Sequence, residues 1–382
     1  MVKKFKQFLK ILIYSKFKFS TPSKKVIFFD DESFERYAQS FDYILKTKDY
    51  FIFKTRLNKI DEIFITPKII FYVAYYFFKK NKLKISYFIA IILSVNPKIV
   101  LTIIHNSMEF SLVAKQLGQK FRFIAIQNAS MYGFDEPNCD IEKKKKFFIP
   151  EFACFGKYEI DLYKKHNIEV KKFHVIGSLQ LSQYLEQRKK TYSEVHDICL
   201  ILEESAGWNK IFQGFEDAIG LIASHTIRFA RENDLKLVLV GKRFGSRALE
   251  QEKKFYQKYI GKDFKILKKT IYSSYEAVEK SKISIGMMST LLRESLALNR
   301  KVLSCNFTGS SAWNFPLKGA CTLNDSSYES FKNRVKKILN LDYNSYARLI
   351  DHAPSYSMSL DANCLSGKKL KNILQSSLPT TL

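Results

Sequence analysis

Glycine and proline are scarce in this chain, 14 and 8 of 382 residues, which excludes a collagen-like or low-complexity architecture and leaves a globular one. The six cysteines, Cys139, Cys154, Cys199, Cys305, Cys321 and Cys364, form no CxxC pair and repeat no spacing. That argues against a zinc ribbon and a disulfide framework and suits buried, reduced thiols of a cytosolic protein, so no metal site is expected. No apolar run is long enough to span a bilayer. The two longest, Ile69 to Phe78 and Ile85 to Val95, are bounded by Lys79, Lys80, Lys82 and Lys84 and read as buried helices with lysine tips. Neither GxGxxG nor GxxxxGK[ST] occurs, so the common dinucleotide fingerprint and the P-loop are both absent.

Acidic residues are also few. Asp and Glu total 37 against 63 Lys and Arg, a net charge of +26 that attracts nucleic acid, anionic lipid or an anionic ligand. Lysine is abundant together with Ile, Phe, Tyr and Asn, a bias expected of an AT-rich genome, so much of this charge is a solvated surface. No nucleic-acid-binding motif accompanies it, and nucleic acid is not an expected partner. The amino-terminal MVKKFKQFLKILIYSKFKFSTPSKK lacks a continuous apolar core and a cleavage site. Its Phe5, Phe8, Leu9 and Leu12 fall at helical spacing among lysines, a pattern shared by a packed first helix and one lying on an anionic membrane surface. The expected location is cytoplasmic, with at most a peripheral attachment to the inner face of the cytoplasmic membrane.

At this length two domains are expected. Short β-rich runs alternate with helical patterns, the signature of parallel sheets covered by helices. In the first half strands are predicted at Lys25–Phe29, Tyr50–Phe53, Ile99–Ile104, Phe121–Ile126, Phe152–Phe155 and Phe173–Ile176. The polar stretch 186–197 breaks the pattern. Strands then follow at Ile198–Leu202, Lys236–Val240, Phe264–Leu267, Ile283–Ile285 and Val302–Cys305. The reading is α/β with two Rossmann-like domains facing a cleft: a first domain over 1–188, a second over 189–360, and a helical tail over 361–382 that packs back on the first.

Ligands of such sheets bind at the carboxyl ends of the strands. In SKISIGMMSTLLRESLALNRKVLSCNF, Gly286 to Ser289 ends a buried strand, and Ser289 and Thr290 open a helix with Glu294 one turn on. Free amides and the helix dipole make this start an anion site, the hydroxyls add donors, and Glu294 is placed to accept from ribose. A ligand-free helix uses the same caps. His105, at the end of another apolar strand, is a base of suitable chemistry for an acceptor hydroxyl, with Glu109 one turn along and Asp30 as a rival. Gln127 and Asn128 end the neighbouring strand and are candidates for sugar or acceptor contacts. Glu203 and Glu204 follow the first strand of the second domain as contacts for sugar hydroxyls or as plain loop carboxylates.

The segment IGMMSTLLRESLALNRKVL, preceded by YSSYEAVEKSK, resembles the donor-binding segment of GT-B glycosyltransferases, especially bacterial surface-carbohydrate biosynthesis proteins, and is similar to segments of Kdo transferases and CDP-glycerol glycerophosphotransferases. Weaker likeness in IVLTIIHNSMEF, FRFIAIQNAS and FACFGKYEIDLYKKHNIEVKKFHVIGS extends it over roughly residues 97 to 316. The resemblance implies that Gly286, Ser289, Thr290 and Glu294 hold the phosphate and ribose of a nucleotide-activated sugar. It implies that Lys242 and Arg243, after Val240-Gly241, meet donor phosphate, and that Gly177 and Ser178 form a turn near the donor. Where that family pattern has an acidic residue at the first-domain turn, this chain has His105. The implied activity is metal-independent, cofactor-free sugar transfer to a lipid-linked or glycan acceptor in surface polysaccharide assembly. A phospho-polyol transferase, a sugar-nucleotide epimerase and a non-catalytic membrane subunit are the competing readings.

Overall fold

The computed structural model describes residues 15–31, 34–45, 49–56, 59–132, 147–188, 193–203, 214–242 and 245–375. The first part contains β1 (Lys16–Lys18), β2 (Val26–Phe29), β3 (Tyr50–Phe53), β4 (Glu62–Phe64), β5 (Ile99–Thr102), β6 (Arg122–Ile126), β7 (Phe148–Cys154) and β8 (Glu169–Val175). Six of these form one parallel sheet in the order β3-β2-β5-β6-β7-β8, while β1 and β4 pair alone. The second part contains β9 (His196–Ile201), β10 (Leu237–Val240), β11 (Ser281–Gly286), β12 (Lys301–Cys305) and β13 (Thr322–Leu323), parallel in the order β10-β9-β11-β12-β13. The strand order reverses at β2/β5 in one sheet and at β9/β11 in the other, which opens a crevice at each carboxyl edge.

Why the central strands read as unbroken apolar runs is plain from their two faces. Val26 and Phe28 of β2 join a core with the helices Phe34–Leu45 and Ser366–Gln375, whereas Ile27 and Phe29 join one with the helices Leu83–Val95 and Met108–Leu117. Both faces are dry, so no polar alternation survives. The second sheet has one large core with the helices Phe215–Glu232, Ser246–Ile260, Thr290–Ala297 and Tyr328–Leu339 around it. The last helix belongs to the first sheet: Leu370 and Leu374 are buried there, and Arg122 Nη1 donates to the Ile373 carbonyl at 2.7 Å.

Three expectations are corrected. Phe264–Leu267 is no strand but a single bridge from Ile266 to Leu239, and β7 starts at Phe148 rather than Phe152. Ile69 to Phe78 lies in a helix, yet that helix is half out of the fold, with Phe71 65% and Phe78 83% exposed. Among the described residues no helix is long and apolar enough to cross a membrane.

Candidate functional site

A cavity of about 250 Å³ lies between the two sheets, lined from the first by Asn128, Ser130, Tyr132 and Gln180 and from the second by Glu203, Lys242, Lys269, Tyr275, Ser289, Thr290 and Glu294. It opens at the β9/β11 crevice, because Ile201 to Glu203 and Met288 to Leu291 both line it. Ser289 caps the helix Thr290–Ala297 from extended backbone, its Oγ accepting from the Leu291 amide at 3.4 Å. Thr290 Oγ1 turns across the cleft instead, accepting from the Ser130 amide at 2.9 Å. The helix start is therefore held to the first sheet by its own second hydroxyl.

Glu294 is the most constrained carboxylate here. It is buried, and it accepts from Ser178 Oγ and, at 2.9 Å, from Tyr275 Oη. Burial raises its pKa to about 7, against hydrogen bonds from Ser178 and Tyr275 and the Arg293 charge, which pull it down. Ser178 also caps its own helix, accepting from the Leu181 amide at 3.2 Å, so the same hydroxyl serves both domains. Beside it Gly177 has a φ of +86°, and a Cβ there would lie 2.1 Å from the Ser359 carbonyl oxygen. This glycine is demanded by the returning carboxyl-terminal chain, and it does not line the cavity. Gly286 ends β11 with the Ile201 carbonyl 3.2 Å from where its Cβ would stand, and it does not line the cavity either.

The basic side of the cavity is built on the turn after β10. Gly241 admits the buried Glu252 carboxylate, whose oxygen would be 2.6 Å from a Cβ, and Glu252 accepts from the Lys242 amide at 2.8 Å. Lys242 Nζ lies 3.2 Å from Glu203 Oε2, and Lys269 Nζ donates to the carbonyls of Gly241 and Lys242 at 2.9 and 2.8 Å. Glu203 is 5% exposed and its Oε1 has no partner among the described residues. A buried acceptor left open on a cavity wall is where a ligand donor gains most, since an unmade bond there is costly. Arg243 and Glu204 lie outside the described residues, as do Phe5, Phe8, Leu9 and Leu12 of the amino-terminal basic segment.

The first-domain candidates are placed elsewhere. His105 is 2% exposed, stacks on Phe152 at 5.4 Å, and does not line the cavity. Burial alone pushes its pKa down to about 4, and neither ring nitrogen has a partner among the described residues. As placed, it cannot reach a substrate proton in this cavity. Asp30 stands at the end of β2 with φ +85°, accepting from Thr55 Oγ1 at 3.0 Å and Arg56 Nε at 3.1 Å. Glu109 lies 2.9 Å from Lys84 Nζ; partial burial raises its pKa, but the Lys84 bond and charge prevail and lower it. Asp30 and Glu109 share the β2/β5 crevice, apart from the cavity lining. Gln127 is buried and fully engaged, accepting from the Phe155 amide at 2.8 Å and donating to Ala129 O and Glu159, so it is spent on the fold rather than free for sugar. Asn128 does line the cavity.

Sequence reasoning missed Lys269, Tyr275 and the pair Arg293–Glu159. Arg293 is fully buried, its Nη2 2.7 Å from Glu159 Oε1 and its Nη1 donating to Ser130 Oγ at 3.1 Å. Tyr275 and Arg293 stand inside those same quoted segments, yet the Arg293 partners Glu159 and Ser130 are more than a hundred positions away. Among the described residues no three His, Cys, Asp or Glu are grouped to hold a metal ion.

Solved structures of similar fold share little sequence. The S. aureus MnaA–UDP complex superposes with a TM-score of 0.58 at 12% identity, over 92% of this chain and 95% of that one. The UDP-GlcNAc 2-epimerases of Methanocaldococcus jannaschii, solved with UDP-GlcNAc and UDP, and of Neisseria meningitidis, bound to UDP-GlcNAc, give 0.54 and 0.52, each at 12% identity over 92% of this chain and 99% and 98% of theirs. The fold is thus GT-B, two Rossmann-like domains about a cleft. A comparison with curated proteins finds no match. A family model described as "putative O-antigen biosynthesis protein" matches residues 127–345, more than half of the chain and most of the cavity wall, and the chain belongs to that family.

Proposed function

We propose that the protein is a glycosyltransferase of surface polysaccharide assembly that takes its sugar from a nucleotide donor held in the interdomain cavity and passes it to a lipid-linked or glycan acceptor. One observation carries the reading: a helix start with Ser289 and Thr290, two lysines and an open buried carboxylate converge on one cavity at a strand-order switch. In transfer, the bond from the sugar carbon to the donor phosphate breaks as the acceptor oxygen bonds to that carbon. Charge develops on the departing phosphate, where Lys242, Lys269 and the helix amides would stabilise it without a metal or cofactor. The acceptor hydroxyl must lose its proton, and the Glu203 carboxylate, on the cavity wall with its Oε1 unpartnered among the described residues, would receive it. Glu294 would hold ribose hydroxyls by exchanging its Ser178 bond for them.

The test is a thermal-shift screen of the full chain against UDP, GDP, CDP, CMP and their sugars. At a hundred times its Kd a ligand adds about 2.7 kcal/mol, and with an unfolding entropy of about 2.1 cal/mol/K per residue the melting point rises by about 3 °C. Lys242→Met and Glu294→Gln should abolish the rise. Product analysis with the stabilising donor then separates readings: released nucleotide that depends on acceptor supports transfer, whereas an epimerised sugar nucleotide identifies an epimerase. No shift with any nucleotide, from a folded protein, would sink the donor site.

A further inference from the structure

The helix Pro67–Phe78 carries two apolar stripes. One, Ile69, Tyr72, Val73 and Tyr76, packs on the first core. The other, Pro67, Ile70, Phe71, Ala74, Tyr75 and Phe78, repeats at positions three and four apart and faces solvent. Ile70, Phe71, Tyr75 and Phe78 are 58, 65, 45 and 83% exposed, and Phe77 and Leu83 extend the patch. Phe17 and Phe19 adjoin its start, since the Ile65 amide donates to the Lys18 carbonyl at 2.8 Å. So many large apolar side chains on one exposed surface are rare without a partner.

Charge identifies the partner. From Ile65 to Lys84 there is no Asp or Glu, and Lys68, Lys79, Lys80 and Lys82 are exposed around the aromatic stripe. Lys79 Nζ lies 4.4 Å from the Tyr75 ring centre, so cation and aromatic share one surface. A symmetric dimer through this face would bring the same lysines together. An anionic bilayer surface instead neutralises them while its acyl boundary takes the rings. At 12 residues the helix is about 18 Å long, well short of the roughly 30 Å of a bilayer core, so it lies in the interface plane.

We propose that this face docks the protein on an anionic lipid bilayer. Lys84, at the end of the patch, reaches Glu109 beside the β2/β5 crevice, so docking sets the carboxyl edge of the first sheet next to the lipid. A lipid-linked acceptor would enter there, a consequence that rests on the glycosyltransferase reading; the docking itself does not.

The experiment is flotation of the full-length protein, without nucleotide, on vesicles of phosphatidylcholine alone and of equal parts phosphatidylcholine and phosphatidylglycerol. Expected is binding to the anionic vesicles, weakened by salt and at least about ten-fold by Phe71→Ser with Phe78→Ser. Lys79→Ser, Lys80→Ser and Lys82→Ser should weaken it by about five-fold per lysine. All these side chains are exposed, so the variants should keep the wild-type melting point. Absence of binding, or binding indifferent to the aromatic pair, overturns the proposal. So does a wild-type dimer by light scattering that the aromatic pair dissolves, because that assigns the face to a second copy.

Discussion

Replacing Arg293 with Met tests the joint between the two domains. Arg293 and Glu159 are 0 and 1% exposed, so neither charge is screened by solvent. Removing one partner of a buried pair costs about 3–5 kcal/mol, because the other charge stays buried. Glu159 keeps two donors, the Gly156 amide at 3.0 Å and Gln127 Nε2 at 3.1 Å, which places the loss at the lower end, about 3 kcal/mol. With about 2.1 cal/mol/K per residue over 382 residues, the unfolding entropy is about 0.8 kcal/mol/K. The melting point should then fall by about 4 °C in differential scanning calorimetry. Arg293→Met with Glu159→Gln removes the stranded charge and should recover most of that loss, a coupling of about 2 kcal/mol between the sites. An Arg293→Met protein melting within about 1 °C of wild type, or a double variant no more stable than the single, would refute the argument.

Glu294 and His105 should shape the pH profile in opposite directions. The Glu294 carboxyl, raised to about 7 in the fold, keeps its proton where the unfolded chain has lost it, so its favourable contribution is complete below about 4.5 and is lost as pH rises through about 7. The stability difference between wild type and Glu294→Gln should therefore fall by roughly 3 kcal/mol from pH 4.5 to 8 in urea titrations; a flat difference would show that Glu294 ionises freely. His105, held down at about 4, stays neutral where the unfolded chain takes a proton, so its contribution is present above about 6.5 and is lost as pH falls through about 4. His105→Phe should remove that loss and leave turnover within about three-fold of wild type; a loss of about a hundred-fold or more in turnover, with the fold intact, would restore the imidazole as the base. Gly177→Ala forces a side chain into the left-handed region and onto the Ser359 carbonyl, and should cost about 3 kcal/mol or more by urea unfolding, with a wild-type midpoint as the contrary result.

What could be read along the chain was whatever forms over a few consecutive residues. The apolar strands, the helix Thr290–Ala297 and its Ser289 cap were legible because period, propensity and capping bonds close within about ten residues. The alternation of elements then implied two parallel sheets, since only crossover helices link parallel strands so regularly. Ile69 to Phe78 misled because both sides of that helix are apolar, and no pattern says which side meets the core. Phe264–Leu267 has a strand's composition but only one bonded neighbour, Leu239, and neighbours are not written locally. The site divides the same way. Ser289, Thr290, Glu294 and Lys242 stand at strand and helix ends and were visible there, whereas Ser178 on Glu294 and Glu159 on Arg293 join residues more than a hundred positions apart. Local chemistry determined which residues end each strand; the docking of one twisted sheet against the other decided which of those ends share a cavity, because only that packing buries charges at Glu294 and Arg293 deeply enough to require partners across the cleft.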